Sequence, residues 1–346
     1  VGLGDSLATG RAARRTALLL AGAAAALSPV PPEAYAADSP GAVIRSAVPP
    51  VPDPVARVAR VTPTTMTDRW SGPGTVRAVL RLRGLPPGQV RSLIGTLVAG
   101  APNQRSVAFG NKITCSEPGR PISTQLWNGV NLIGGRADET VRLRMFVTVP
   151  ASGRLDCALR GYVLTHVGIP GAKASLRGGW LADLGSAGRA PATVQRVLSG
   201  QANPFIPLGG RTVRVPGISG YVPPASARFL RITGDVYLTE CHRTGNNFCP
   251  RGRSYPAYGT SRAQTWVVAI PRGPGGCATR TSRRTLTVID SASHHRRAES
   301  TLRIPVGGAA CAPWDVQVHA RSAGGTSPFV ISVTETYSAV TVGPQR

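Results

Sequence analysis

The sequence predicts an all-β protein made of two tandem β-sandwiches. Three observations lead there. Short apolar runs alternate with polar residues at a period of two, as in strands with one buried face. Glycine (41) and proline (31) punctuate those runs along the 346 residues, as turns do between many short strands. Beyond residue 37 no stretch carries the three-to-four spacing of an amphipathic helix.

Residues 1–36 read as a cleaved signal peptide. Arg11, Arg14 and Arg15 form a basic start, Ala17 to Leu27 is an apolar run, and Ala34-Tyr35-Ala36 precedes Ala37. Basic end, short apolar run and A-x-A site are the three parts of a secretory signal. The run is well below the ~20 residues of a membrane span. Arg14-Arg15 also fits a twin-arginine signal, but the rest of that pattern is missing, so ordinary secretory export is the preferred reading. The expected localisation is extracellular or at the cell wall. Residues 37–54, with Pro40, Pro49, Pro50, Pro52 and Pro54, read as a Pro/Ala-rich tether.

The first sandwich is expected over 55–168. Its clearest strand alternates Val141, Leu143, Met145, Val147 and Val149 with Arg142, Arg144, Phe146 and Thr148. Leu80 and Leu82 alternate with Arg81 and Arg83. Residues 169–189, rich in Gly and Ala, read as a linker. The second sandwich is expected over 190–343. There Val213/Val215, Leu286/Val288, Val316/Val318 and Phe329/Ile331/Val333 alternate with polar partners. The two units look loosely repeated. A strand ending at Cys115, then strand 141–149, Pro150, a Gly turn and Cys157 parallels a strand ending at Cys241, then Trp266 to Ile270, Pro271, a Gly turn and Cys277. The openings Val55 to Val58 and Val194 to Val197 also match.

Cys115, Cys157, Cys241, Cys249, Cys277 and Cys311 are even in number, which fits disulfides in an oxidising compartment. Zinc-type spacing is absent, so neither metal nor cofactor is expected. Cys115–Cys157 is the expected bridge of the first unit. In the second, Cys241–Cys249 with Cys277–Cys311 competes with Cys241–Cys277 and Cys249–Cys311.

The net charge is +24, and Lys112 and Lys173 are the only lysines, so arginine supplies 38 of the 40 cationic side chains. Such a charge points to a polyanionic partner. Codon bias in a GC-rich genome, which enriches Arg, Ala, Gly and Pro together, explains the same composition without one. Two clusters concentrate the charge. Arg251, Arg253 and Arg262 bracket Tyr255 and Tyr258, joining anion-gripping forks to flat rings. Arg283 and Arg284 precede a short strand, 285–289, that His294, His295, Arg296 and Arg297 follow, so a compact cationic patch is expected.

No catalytic motif emerges. Gly217-Ile218-Ser219-Gly220 falls short of a nucleophile elbow. Asp290 near His294-His295 reads as a polar turn. The expected protein is a non-enzymatic, exported binder of anionic cell-wall polymers or of another envelope protein, with no membrane span and with nucleic acid not expected as its partner in vivo. The alternatives are a structural or interaction module at the cell surface, and a secreted hydrolase whose site the sequence does not display.

The stretch Pro150-Ala-Ser-Gly-Arg-Leu-Asp-Cys157, with Trp127 twelve residues after Cys115, resembles the region before the second cysteine of immunoglobulin-like domains. A cysteine spacing of 42 and Leu155 at the corner-tyrosine place depart from that family. The sandwiches are therefore expected to be immunoglobulin-like or jelly-roll-like. As a whole, the signal, the Arg/Ala/Gly/Pro bias and the paired β-units resemble uncharacterised exported β-sandwich proteins of high-GC Gram-positive bacteria, which implies no particular activity.

Overall fold

The computed structural model describes residues 47–50, 57–67, 74–101, 107–118, 120–164, 173–189, 193–198, 202–243, 248–290, 294–306, 310–333 and 338–345. The signal peptide, most of the tether and residues 169–172 lie outside them, as does the Trp127 side chain. Every regular element described is a strand. The first nine are β1 (Arg57–Val61), β2 (Thr64–Met66), β3 (Thr75–Leu82), β4 (Gln89–Gly100), β5 (Val107–Glu117), β6 (Arg120–Leu132), β7 (Glu139–Thr148), β8 (Leu155–Leu164) and β9 (Ala174–Arg189). Then follow β10 (Val194–Val197), β11 (Phe205–Ile206), β12 (Val213–Tyr221), β13 (Phe229–Glu240), β14 (Thr260–Pro271), β15 (Arg280–Thr281) and β16 (Thr285–Asp290). The chain ends with β17 (His295–Pro305), β18 (Trp314–Gly325), β19 (Phe329–Ser332) and β20 (Ala339–Gln345).

Four antiparallel sheets result. The first half gives β1-β9-β4-β7 and β3-β8-β5-β6. The second gives β10-β20-β13-β17 and β12-β18-β14-β16, with β19 continuing β20 along β13 and β15 continuing β16 along β14. Counting eight principal strands per half, both halves place strands one, eight, three and six in one sheet. Strands two, seven, four and five form the other. That order is the double Greek key of a jelly roll, so the fold is two jelly rolls rather than immunoglobulin-like domains. Cys115–Cys157 agrees: it joins register partners on adjacent strands β5 and β8, with Cα atoms 4.1 Å apart, within one sheet and not across two.

Shared topology corrects the register of the repeat. The strand carrying Cys115 corresponds to β14, not to β13, which leads into Cys241. Strand β7 corresponds to β17, not to Trp266–Ile270. Only the openings, β1 and β10, occupy equivalent places. The remaining bridges are Cys241–Cys249 and Cys277–Cys311.

The expected linker 169–189 is largely β9, which pairs with β4 on one edge and with β1 and β2 on the other. Its glycines hid it, and the pairing needs them: a Cβ on Gly179 would lie 2.1 Å from the Thr96 carbonyl oxygen. Part of the expected tether is also packed. Trp180 Nε1 donates to the Pro49 carbonyl at 2.8 Å, with Val48 against the same cluster.

Each sandwich has its own core, Leu93, Leu97, Ile113 and Leu159 in the first and Ile232, Val267, Trp314 and Phe329 in the second. From Ala42 onward the chain is one compact unit. Contacts between the sandwiches include Phe146 N to Gln195 Oε1 (2.7 Å) and Arg136 to Asp290 (3.5 Å).

Candidate functional site: the outer face of the second sandwich

Alternation on β12, β14, β16 and β18 sends Val215, Ala263, Val267, Ile289, Val316 and Val318 into the core. The residues between them must then face outward. They are Arg214 on β12, Arg262, Gln264, Trp266 and Val268 on β14, Leu286 and Val288 on β16, and Gln317, His319 and Arg321 on β18. Register turns this set into rows. Arg214 pairs with His319, and His319 with Trp266. Thr265 pairs with Thr285, so Arg284 stands opposite Trp266.

The Arg284 guanidinium lies 4.9 Å from the centroid of the Trp266 ring, and His319 meets that ring edge-on at 5.5 Å. Trp266 is only 7% exposed as a result. Arg321 Nε donates to Gln264 Oε1 at 2.8 Å, and His319 Nε2 is hydrogen-bonded to Gln317 Oε1 at 3.0 Å. Burial pushes the His319 imidazole below its ordinary range and neighbouring Arg214 adds to the shift, so His319 is neutral at neutral pH.

Strands lie about 4.8 Å apart and rise about 3.4 Å per residue. Arg214 to Arg284 crosses three strand spacings, and Trp266 to Arg262 runs four residues. Four guanidiniums thus occupy a patch about 14 Å on a side. The four strands carry two acids, Asp290 and Asp315. Asp290 pairs with Arg136 and Asp315 with Arg272 at 2.7 Å. Burial pushes the Asp315 carboxyl up, but the Gly220 amide, Arg272 and Ser219 outweigh it and hold the group below the usual carboxylate range. Between these two acids the strands carry arginines and no further acid. They also hold an apolar pair, Leu286 and Val288, 56% and 51% exposed. A flat surface of guanidinium forks suits repeated anionic groups on an extended chain. Among the described residues no group of three or more His, Cys, Asp or Glu side chains could hold a metal ion.

The structure brings only part of the expected site together. Arg262 and Arg284 belong to this face, and Arg283 is exposed beside it. Arg251, Arg253, Tyr255 and Tyr258 lie in the loop before β14, whose contacts run to the opposite sheet. The Arg253 guanidinium sits 4.5 Å over the Phe205 ring of β11. Tyr255 donates its hydroxyl to the Pro250 carbonyl at 2.8 Å, and its ring packs against Cys241, Cys249 and Val330. Tyr255 therefore holds the loop together rather than presenting a face; of the two rings only Tyr258, 82% exposed, is open. Arg251 is exposed.

The residues 294–297 form no patch with Arg283 and Arg284. They turn toward the first sandwich instead. His294 lies 4.0 Å from His295 and 5.1 Å from His242, centroid to centroid. Asn131 Nδ2 is 3.4 Å from His294 Nδ1, Arg296 pairs with Glu139 and Arg297 with Asp235. Arg214, Trp266, His319 and Arg321 were missed as site residues. Their outward alternation is readable, but their adjacency exists only once β12, β18 and β14 are in register.

No protein-family model and no curated protein sequence matches the chain. Solved structures give distant likenesses. One is the N-terminal CBM22-1–CBM22-2 tandem domain of Xyn10C from Paenibacillus barcinonensis: 10% identity, TM-score 0.22, covering 83% of this chain and 91% of that one. A second is PNGF-II, with 11% identity, TM-score 0.33 and coverages of 84% and 66%. A third is the infectious bursal disease virus Gt strain, with 10% identity, TM-score 0.27 and coverages of 82% and 66%. The all-β assignment stands on the strand pairing of this chain itself.

Proposed function

We propose that this protein is an exported, non-enzymatic binder of anionic polymers at the cell envelope, engaging them through the outer face formed by β12, β18, β14 and β16. One observation carries the reading. Arg214, Arg262, Arg284 and Arg321 share a face on which the acids among the described residues, Asp290 and Asp315, are at its ends and already paired. Codon usage explains the arginine content; what the fold adds is that both acids of these strands are held in ion pairs at the ends of the face, away from the four guanidiniums. Three disulfides fit an oxidising compartment. Leu286 and Val288 add a salt-insensitive contribution through apolar contact.

The test is equilibrium binding to polyphosphate and to heparin, with neutral dextran as control, at low salt. The expected result is binding of both polyanions and none of dextran. No polyanion binding, or equal binding of dextran, would overturn the proposal.

A further inference from the structure

The two jelly rolls present corresponding sheets to one another. Between them lies a cleft of about 500 Å³, walled by β4, β7 and β9 on one side and by β13, β17 and β20 on the other. Alternation on β7 buries Val141, Leu143 and Met145 in the first core, which sends Arg142, Arg144 and Phe146 into this space. The second sandwich contributes Arg231 and Glu299. Three guanidiniums thus face one carboxylate, an excess of two positive charges.

Glu299 is the one carboxylate among the residues that line the cleft, and the Arg142 guanidinium lies 6.0 Å from the Trp180 ring centroid. Arg144 Nε is buried and makes no hydrogen bond among the described residues. Burial pushes the Arg144 guanidinium below its ordinary range, with Arg231 and Arg142 adding and Glu299 opposing. Arg297, beside the cleft on Asp235, is pushed down to about 9 by burial, with Arg142 and Arg144 adding and Glu299 opposing. Arg144, largely buried among like charges, favours an opposite charge nearby, and Arg231 stands exposed on the facing wall.

We infer that this cleft is a binding site for a phosphomonoester of a small polyhydroxylated compound, its phosphate seated among Arg142, Arg144 and Arg231. A phosphomonoester carries close to two negative charges at pH 7, which matches the excess. Guanidinium forks match phosphate oxygens two at a time. The volume is that of a small-molecule site. Thr233, Thr341 and Glu299 line the rest and serve hydroxyl groups as donors and acceptors. The site is separate from the outer face, which belongs to the other sheet of the second sandwich. Because both sandwiches supply arginines, the ligand bridges them.

Calorimetric titration with glucose 6-phosphate at pH 7.5 tests the inference, with inorganic phosphate and glucose as controls. Glucose 6-phosphate should bind at least tenfold more tightly than inorganic phosphate, and glucose should not bind. Arg144→Gln on one wall and Arg231→Gln on the other should each weaken binding at least tenfold, whereas the outer-face variant Arg214→Ala/Arg321→Ala should not change it. Circular dichroism establishes that each variant is folded. Arg231 is exposed, so its variant serves if Arg144→Gln unfolds. Absence of glucose 6-phosphate binding to the parent would overturn the proposal. So would unchanged affinity in the folded variants, or inorganic phosphate binding as tightly as the sugar phosphate.

Discussion

Replacing Arg214 and Arg321 together by Ala removes two of the four guanidiniums of the outer face and leaves Arg262 and Arg284 in place. The consequence is a change in salt dependence. For a flexible single-chain polyanion, each neutralised contact contributes a slope of about −0.7 to log K against log salt. Four contacts give about −2.8, so raising salt from 50 to 200 mM weakens parent binding about 50-fold. With two contacts left, the slope is about −1.4 and the same salt step costs about 7-fold. Fluorescence-anisotropy titration of labelled polyphosphate at four salt concentrations measures both slopes. The control is Arg60→Ala/Arg154→Ala, which removes two exposed arginines of the first sandwich and the same net charge. It should keep the parent slope. Equal slopes for the parent and the outer-face variant, or an equal fall in the control, would refute the reasoning, because general charge would then suffice.

Three further outcomes concern the scaffold. Tyr255→Phe removes the hydroxyl donated to Pro250 and should cost about 1 kcal/mol, whereas Tyr258→Ala should stay within about 0.5 kcal/mol of the parent; urea denaturation compares them. Burial raises the Tyr221 phenol to about 12. The folded chain then keeps a proton that the unfolded chain releases near pH 10, so stability present below pH 10 is lost as pH rises towards 12, by roughly 3 kcal/mol, and Tyr221→Phe abolishes that loss. Removing Cys115–Cys157, whose partners are 42 residues apart, should cost about 4 kcal/mol by loop entropy, against about 2.5 kcal/mol for the eight-residue Cys241–Cys249 separation; thermal and denaturant unfolding of the Cys→Ser pairs checks both.

Strands with one wet face were legible in the sequence because their side chains alternate. Strand 141–149 is the clearest, and β7 covers nearly all of it. Strand β4 was not, because it is buried on both faces from Val90 to Gly100 and its residues show no alternation. Strand β13 was given the wrong counterpart in the repeat because the two units were aligned on Cys115 and Cys241, which lie at the ends of strands that are not equivalent. Glycines at 178, 179, 185 and 188 made β9 look like a linker, although a glycine strand can approach its neighbours closely. The outward direction of Arg142 and Arg144 was legible, but alternation says which residues leave the core and not what covers them. A second jelly roll covers them here. The outer face was half legible for the same reason: Arg262 and Arg284 stood out by local density, while Arg214 and Arg321 reach them only through register.

Hydrogen exchange with and without polyphosphate tests the central claim most directly. The account predicts slowed exchange confined to β12, β14, β16, β18 and the residues around Arg284, with the loop 248–258 and the first sandwich unchanged. Protection centred on that loop, or spread evenly over both sandwiches, would contradict it.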